Sequence, residues 1–118
     1  ATLTVRLNSL SNPLLDDLQS TSRIITPNSD GLNDFLLVSY NLLRLTRPAP
    51  VFFEIYTLDG RRVRQGFAGD DQSGRFVRIW DGRDQGGFSV ESGLYLYQIQ
   101  VEADAGTFQQ QGVVSVVY

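Results

Sequence analysis

Short alternating runs of apolar and polar residues, broken at Asp59-Gly60, Asp81-Gly82 and Gly86-Gly87, fill the chain from Val51 to Tyr97. These dipeptides tolerate the backbone conformations that tight reversals between antiparallel strands require. The stretch VFFEIYTLDGRRV, followed by RFVRIWDGRDQGGFSVESGLYLYQI, therefore reads as strands joined by short turns. A hairpin is predicted with arms at Val51 to Leu58 and Arg61 to Phe67, then a polar loop from Ala68 to Gly74 and a strand from Arg75 to Trp80. After a turn-rich stretch to Gly93, Leu94 to Glu102 pairs across Asp104-Ala105-Gly106 with Thr107 to Tyr118.

The first half fits the same architecture. Ala1 to Asn8 (ATLTVRLN) sets Leu3, Val5 and Leu7 on one face and Thr2, Thr4 and Arg6 on the other, as a half-buried strand does. Residues 9–23 read as a polar tether, with Asn12-Pro13 as a turn and LLDDL as loop or one helical turn. Residues 24–118 are the core module. Within it, Phe35 to Leu45 is one long strand or two, because Val38, Ser39, Tyr40 and Asn41 are poor helix formers. Arg47-Pro48-Ala49-Pro50 ends that element. The expectation is one all-β domain: an Ig-like or fibronectin-like antiparallel β-sandwich of roughly seven to eight strands.

Composition narrows the chemistry. With 118 residues, 42% hydrophobic and 19% charged, the chain can bury one core. It has no His, Cys or Met, and each of its ten basic residues is Arg. An imidazole base, a thiol nucleophile and a thiolate or imidazole metal site are thereby excluded. A net charge of −3 argues against nucleic acid and anionic membrane surfaces as partners, and no apolar run approaches a membrane span. Ala1 is a small residue of the kind left by signal-peptide cleavage, or marks an excised fragment. Either origin suits a piece of an exported protein.

Several groups invite functional readings. Asn28, Asp30, Asn33 and Asp34 surround Gly31 in TPNSDGLND and offer oxygen ligands for a hard cation such as calcium. An EF-hand loop would need carboxylates where Thr26 and Leu37 stand, so an Asx-turn cluster outweighs the metal reading, and no other cofactor is expected. Trp80, with Tyr95 and Tyr97 on one strand face, suggests a sugar platform, but core packing is the stronger reading. Arg61, Arg62 and Arg64 against Asp70, Asp71, Asp81 and Asp84 could form a self-association surface; a charge-protected sheet edge outweighs it. The pairs Asp16-Asp17 and Asp70-Asp71 lie in polar stretches without an apolar pocket, and no catalytic motif is present, so an enzyme is not expected.

Two motifs carry a family resemblance. TPNSDGLND at Thr26 to Asp34 resembles the TPNGDGxND signature of C-terminal domains on proteins exported by the type IX secretion system, with Ser29 in place of a Gly. IYTLDGRRVRQ at Ile55 to Gln65 and WDGRDQGGFSVESGLYLYQI at Trp80 to Ile99 are similar to those domains and to the Ig-like domain of the flagellar hook-capping protein. The resemblance implies a non-catalytic, extracellular or cell-surface bacterial module with structural, attachment or sorting roles. Its partners would be neighbouring domains, copies of itself, or secretion and attachment machinery. Ala1 to Asn8 adds an alternative, a filament subunit whose Leu3, Val5 and Leu7 complete a neighbour's sheet by donor-strand exchange. A carbohydrate-binding module is the third reading.

Overall fold

Alternation governs the architecture of the computed structural model, which describes residues 15–20, 23–27, 34–104 and 106–118. Eight strands follow in chain order: β1 (Leu15–Ser20), β2 (Ile24–Ile25), β3 (Leu36–Leu42), β4 (Ala49–Thr57), β5 (Arg62–Asp71), β6 (Gly74–Trp80), β7 (Gly93–Ala103) and β8 (Gly106–Val116). They form a three-stranded sheet, β1-β3-β6, and a five-stranded sheet, β2-β8-β7-β4-β5. Every second residue of the central strands points into the space between them. Leu36, Val38, Tyr40 and Leu42 do so from β3, Val51, Phe53 and Ile55 from β4, and Ile99 and Val101 from β7, all fully buried. The expected all-β, Ig-like sandwich is the fold observed. One pair departs from the antiparallel rule: β2 runs parallel to β8, with Ile24 opposite Ser115 and Ile25 opposite Val116.

Four boundaries differ from the sequence reading. The segment 9–23, expected as a tether, contains β1, which pairs antiparallel with β3. Its register shifts between Asp16 and Gln19, and Asp17 adopts φ 55°. A bulge inserts a residue and so disrupts period two. Leu15 is buried and Leu18 packs against the core although they lie three positions apart, and that spacing hides the strand from a search for alternation. The polar stretch Ala68 to Gly74 is not a loop, because β5 continues to Asp71 and β6 begins at Gly74. Beyond Phe67, which packs against the core, the inward positions of β5 are Gly69 and Asp71, so the strand continues without the apolar residues that would reveal its alternation. β4 starts at Ala49 rather than Val51, with Pro50 opposite Asp70. The ladder to β7 begins only at Val51, so Pro50 sits where one side of the strand is unpaired, the position proline tolerates. Finally, Phe35 to Leu45 holds one strand, β3, which ends at Leu42.

A glycine completes the core. Gly112 on β8 lies opposite Tyr97 on β7, and the Tyr97 ring lies across it. A Cβ there would sit 2.9 Å from Tyr97 Cε2 and nearer still to the phenol end. Gly112→Ala should therefore lower unfolding free energy by about 1–3 kcal/mol through overpacking. Val113→Ala, at a half-exposed neighbour, should change it by no more than about 0.5 kcal/mol. Urea denaturation of the two variants checks this, and equal effects would contradict the packing argument.

Candidate functional site

The sandwich has two open sides, and each is closed by a polar residue at an inward position. On one side, β6 alternates Phe76, Arg78 and Trp80 inward. The Arg78 guanidinium lies 3.5 Å from the centroid of the Phe67 ring on β5, donates through Nε to Tyr40 Oη at 3.1 Å, and pairs with Asp71. Its side chain is 19% exposed and that of Asp71 is 12% exposed, so the pair is largely shielded from water. Burial, foremost, raises the Tyr40 hydroxyl above its ordinary pKa. On the other side, Gln110 of β8 donates through Nε2 to the Leu15 carbonyl of β1 at 3.2 Å. Neither residue was singled out in the sequence. The available signal was a polar residue at an apolar parity, which period-two reading marks as an interruption.

Trp80 ends β6 and organises one pole of the molecule. It is 1% exposed, so it is a core anchor and not a sugar platform. Its Nε1 donates to the Arg83 carbonyl at 2.9 Å, and its ring meets Tyr95 edge-on at 5.7 Å between centroids. Tyr95 and Tyr97 are likewise core residues, 8% and 6% exposed. Beyond Trp80, Gly82 takes φ 78°, and a Cβ there would approach Pro27 Cγ to 2.9 Å. The segments carrying the two resemblance motifs thus meet at Pro27 and Gly82. The loop then folds on Asp84, whose Oδ1 accepts from the amides of Gly86 and Phe88, each at 3.0 Å. The Gln85 amide donates to the Val63 carbonyl, and Arg64 donates to the Asp84 carbonyl, which ties the loop to β5.

The charged residues singled out in the sequence are largely used within the fold. Arg62 pairs with Glu54 at 3.0 Å, Arg64 holds the Asp84 carbonyl, and Asp71 holds Arg78. Asp17 pairs with Arg75 at 3.1 Å, and Asp81 lies 3.8 Å from Arg83. Asp16 and Asp17 belong to β1 and Asp70 and Asp71 to β5, so neither pair is held in a polar loop. On the outer face of the larger sheet, Glu54 accepts from Tyr56 Oη at 2.6 Å, from Arg62 and from Gln65. Burial and that hydrogen bond push the Tyr56 phenol up to about 12. Burial alone would raise Glu54, but the donors from Tyr56, Arg62 and Gln65 outweigh it and hold the carboxyl below its usual range.

Of the candidate calcium ligands, Asn28, Asp30 and Asn33 lie outside the described residues, and Asp34 precedes β3. Leu3, Val5 and Leu7 also lie outside them. Among the described residues, no three of His, Cys, Asp or Glu are placed to hold a metal ion, and no helix is long and apolar enough to cross a membrane. At the pole opposite the Trp80 loop, an open cleft of about 230 Å³ is lined by Leu45, Pro48, Ala49 and Ala103 together with the charged Arg44, Glu102 and the ion-paired Arg47 and Asp104.

The family model of the FlgD Ig-like domain matches residues 39–107, more than half of the chain. The chain belongs to the FlgD Ig-like domain family. Among solved structures, it is similar to dimeric latent PorU from Porphyromonas gingivalis, with a TM-score of 0.68 and 18% identity. That likeness covers 96% of this chain and 10% of PorU, and it concerns the fold alone. FlgD from P. aeruginosa is similar with a TM-score of 0.54 and 25% identity, over 70% of this chain and 61% of that one. No curated protein matches the chain. This family member thus spans a tenth of one structural relative and under two thirds of the other.

Two predictions follow from the geometry. Arg78→Ala should destabilise the domain by about 2–3 kcal/mol, since it leaves Asp71 and the Tyr40 hydroxyl without their donor. Arg78→Lys should recover less than half of that, because an ammonium cannot stack on Phe67 and still reach both partners. A loss within about 0.5 kcal/mol for Arg78→Ala in urea titrations would remove Arg78 from its role as closure. The second concerns pH. Tyr56 is raised in the folded state, so its contribution is complete below the unfolded phenol value near 10 and fades as pH climbs through about 12. Glu54 is lowered, so its contribution is present above the ordinary carboxyl range and fades as pH falls through its folded value. Thermal melts of Tyr56→Phe should be flatter on the alkaline side, and those of Glu54→Gln flatter on the acid side.

Proposed function

We propose that this FlgD-type Ig-like domain is a non-catalytic structural or attachment module of a secreted or cell-surface bacterial protein. One observation carries the reading: inward side chains lock the sandwich together, while its functional-looking charges are spent on its own ion pairs and loop contacts. A site for chemistry would instead gather titratable groups with opposed shifts around a cleft. The partial coverage of both structural relatives supports a module within a longer protein. The TPNSDGLND resemblance favours the type IX export setting, outside the cell, where partners would be neighbouring domains or attachment machinery. The reading needs no cofactor. The carbohydrate alternative loses its aromatic platform because Trp80 is buried.

A reporter protein carrying residues 1–118 at its C-terminus, produced in a bacterium with type IX machinery, tests the proposal. Protease accessibility on whole cells should show the fused reporter at the surface or in the medium and the bare reporter inside. Equal retention of both would sink the attachment and sorting reading.

A further inference from the structure

The edge of a β-sheet carries backbone groups that another strand can pair, and folded domains guard such edges. Four strands end a sheet here: β1, β6, β2 and β5. A register shift breaks β1, and Gln110 holds its Leu15 carbonyl. β2 is two residues long. β5 shifts register twice, and Gln85 takes up its Val63 carbonyl at 3.0 Å and its Gln65 amide at 2.8 Å. β6 is different. Its seven residues pair with β3 in unbroken register, from Gly74 opposite Leu42 to Trp80 opposite Leu36, and no described strand pairs with its other side. Val77 and Ile79 on its outer face are 52% and 58% exposed. A regular, apolar, one-sided strand of this kind is a template for one more strand. Its one guard is the inward Arg78, so an added strand must bring a residue that suits a cation.

The sequence holds a strand to match. Residues 1–14 lie outside the described residues and lead into Leu15. Leu15 stands in one row with Leu42 and Gly74, so the chain enters at the pole where β6 begins. Ala1 to Asn8, running toward that pole, is antiparallel to β6. From Leu15 to a position beyond β6 is three strand spacings, about 15 Å. Residues 9–14 span about 20 Å when extended, which is enough. With Asn8 opposite Gly74, Leu3 falls opposite Ile79 and Val5 opposite Val77, on the outer face. On the inner face Thr4 falls opposite Arg78 and Arg6 opposite Phe76. A threonine hydroxyl accepts from a guanidinium, and an arginine is attracted to an aromatic ring. A slip of one residue would turn Leu3, Val5 and Leu7 toward Arg78, so the alternation sets the parity.

We infer that Ala1 to Asn8 pairs with β6 of its own chain as an antiparallel strand, widening the smaller sheet to four. The tether decides for the same chain over a second copy. A link this short holds the segment at an effective concentration on the order of millimolar, which a second copy must match to compete. The inference goes beyond the attachment role proposed above and stands independently of it.

Because the chain has no cysteine, an engineered pair reports the contact without interference. In Val5→Cys/Val77→Cys the two Cα atoms would stand about 4.5–5.5 Å apart, within disulfide range. Oxidation at about 10 μM, far below the effective concentration of the tether, should give an intrachain bond. Val5→Cys/Val113→Cys should not, since Val113 lies on the larger sheet. Val77 and Val113 are both half exposed, so neither change disturbs the core. Hydrogen exchange gives a second readout. Val5→Pro, which removes a ladder donor, should speed exchange of the edge-facing β6 amides at least about tenfold. Free thiols in both cysteine pairs, or equal bonding in both, overturn the inference. Cross-linked dimers also overturn it, because the segment then serves a second copy. So does β6 exchange that Val5→Pro leaves unchanged.

Discussion

A sandwich made of three strands against five cannot cover both of its sides with backbone, and the polar residues that close those sides are what the rest of this structure depends on. Arg78 spans the gap between β6 and β5 by lying flat on Phe67 and satisfying Asp71 and Tyr40. Gln110 spans the other by holding the Leu15 carbonyl. Each lets the apolar layer between the sheets end without an exposed flank. The inward-pointing guanidinium also marks β6 as a poor edge for unplanned strand pairing, because a second sheet would have to accommodate a charge.

The same economy shapes the Thr57 pole. Trp80 anchors the end of β6 in the core, and its indole N–H fixes the first carbonyl after the Asp-Gly step. From there Asp84 winds the loop onto its own amides, and Gln85 and Arg64 fasten it to β5. A loop built this way places Phe88 in water by construction rather than by slackness. The FlgD Ig-like family match spans the Trp80 loop, and the meeting of Gly82 with Pro27 ties the upstream motif to the same corner.

The functional reading draws on what these contacts consume. Glu54, Asp71, Asp17 and Asp84 each hold a neighbour in place. Carboxylates committed in this way maintain the shape of the domain, which is the property the proposed structural role draws on.

Much of this was legible in the residues. Alternation in Val51 to Tyr97, the Asp-Gly turns and the poor helix formers around Tyr40 determined an all-β sandwich, because strand parity and turn chemistry are local properties. Trp80, Tyr95 and Tyr97 were legible as core for the same reason. β1 was not, since its bulge replaces the spacing of two with three. Pro50 misled because a proline at a strand start is harmless only where one neighbour is missing, and neighbours are set by topology. The parallel seat of β2 and the inward roles of Arg78 and Gln110 were decided by tertiary structure alone. So was the exposure of Phe88 at the Thr57 pole. Each depends on which strands face one another across the sandwich, and no local periodicity encodes the unequal width of two sheets.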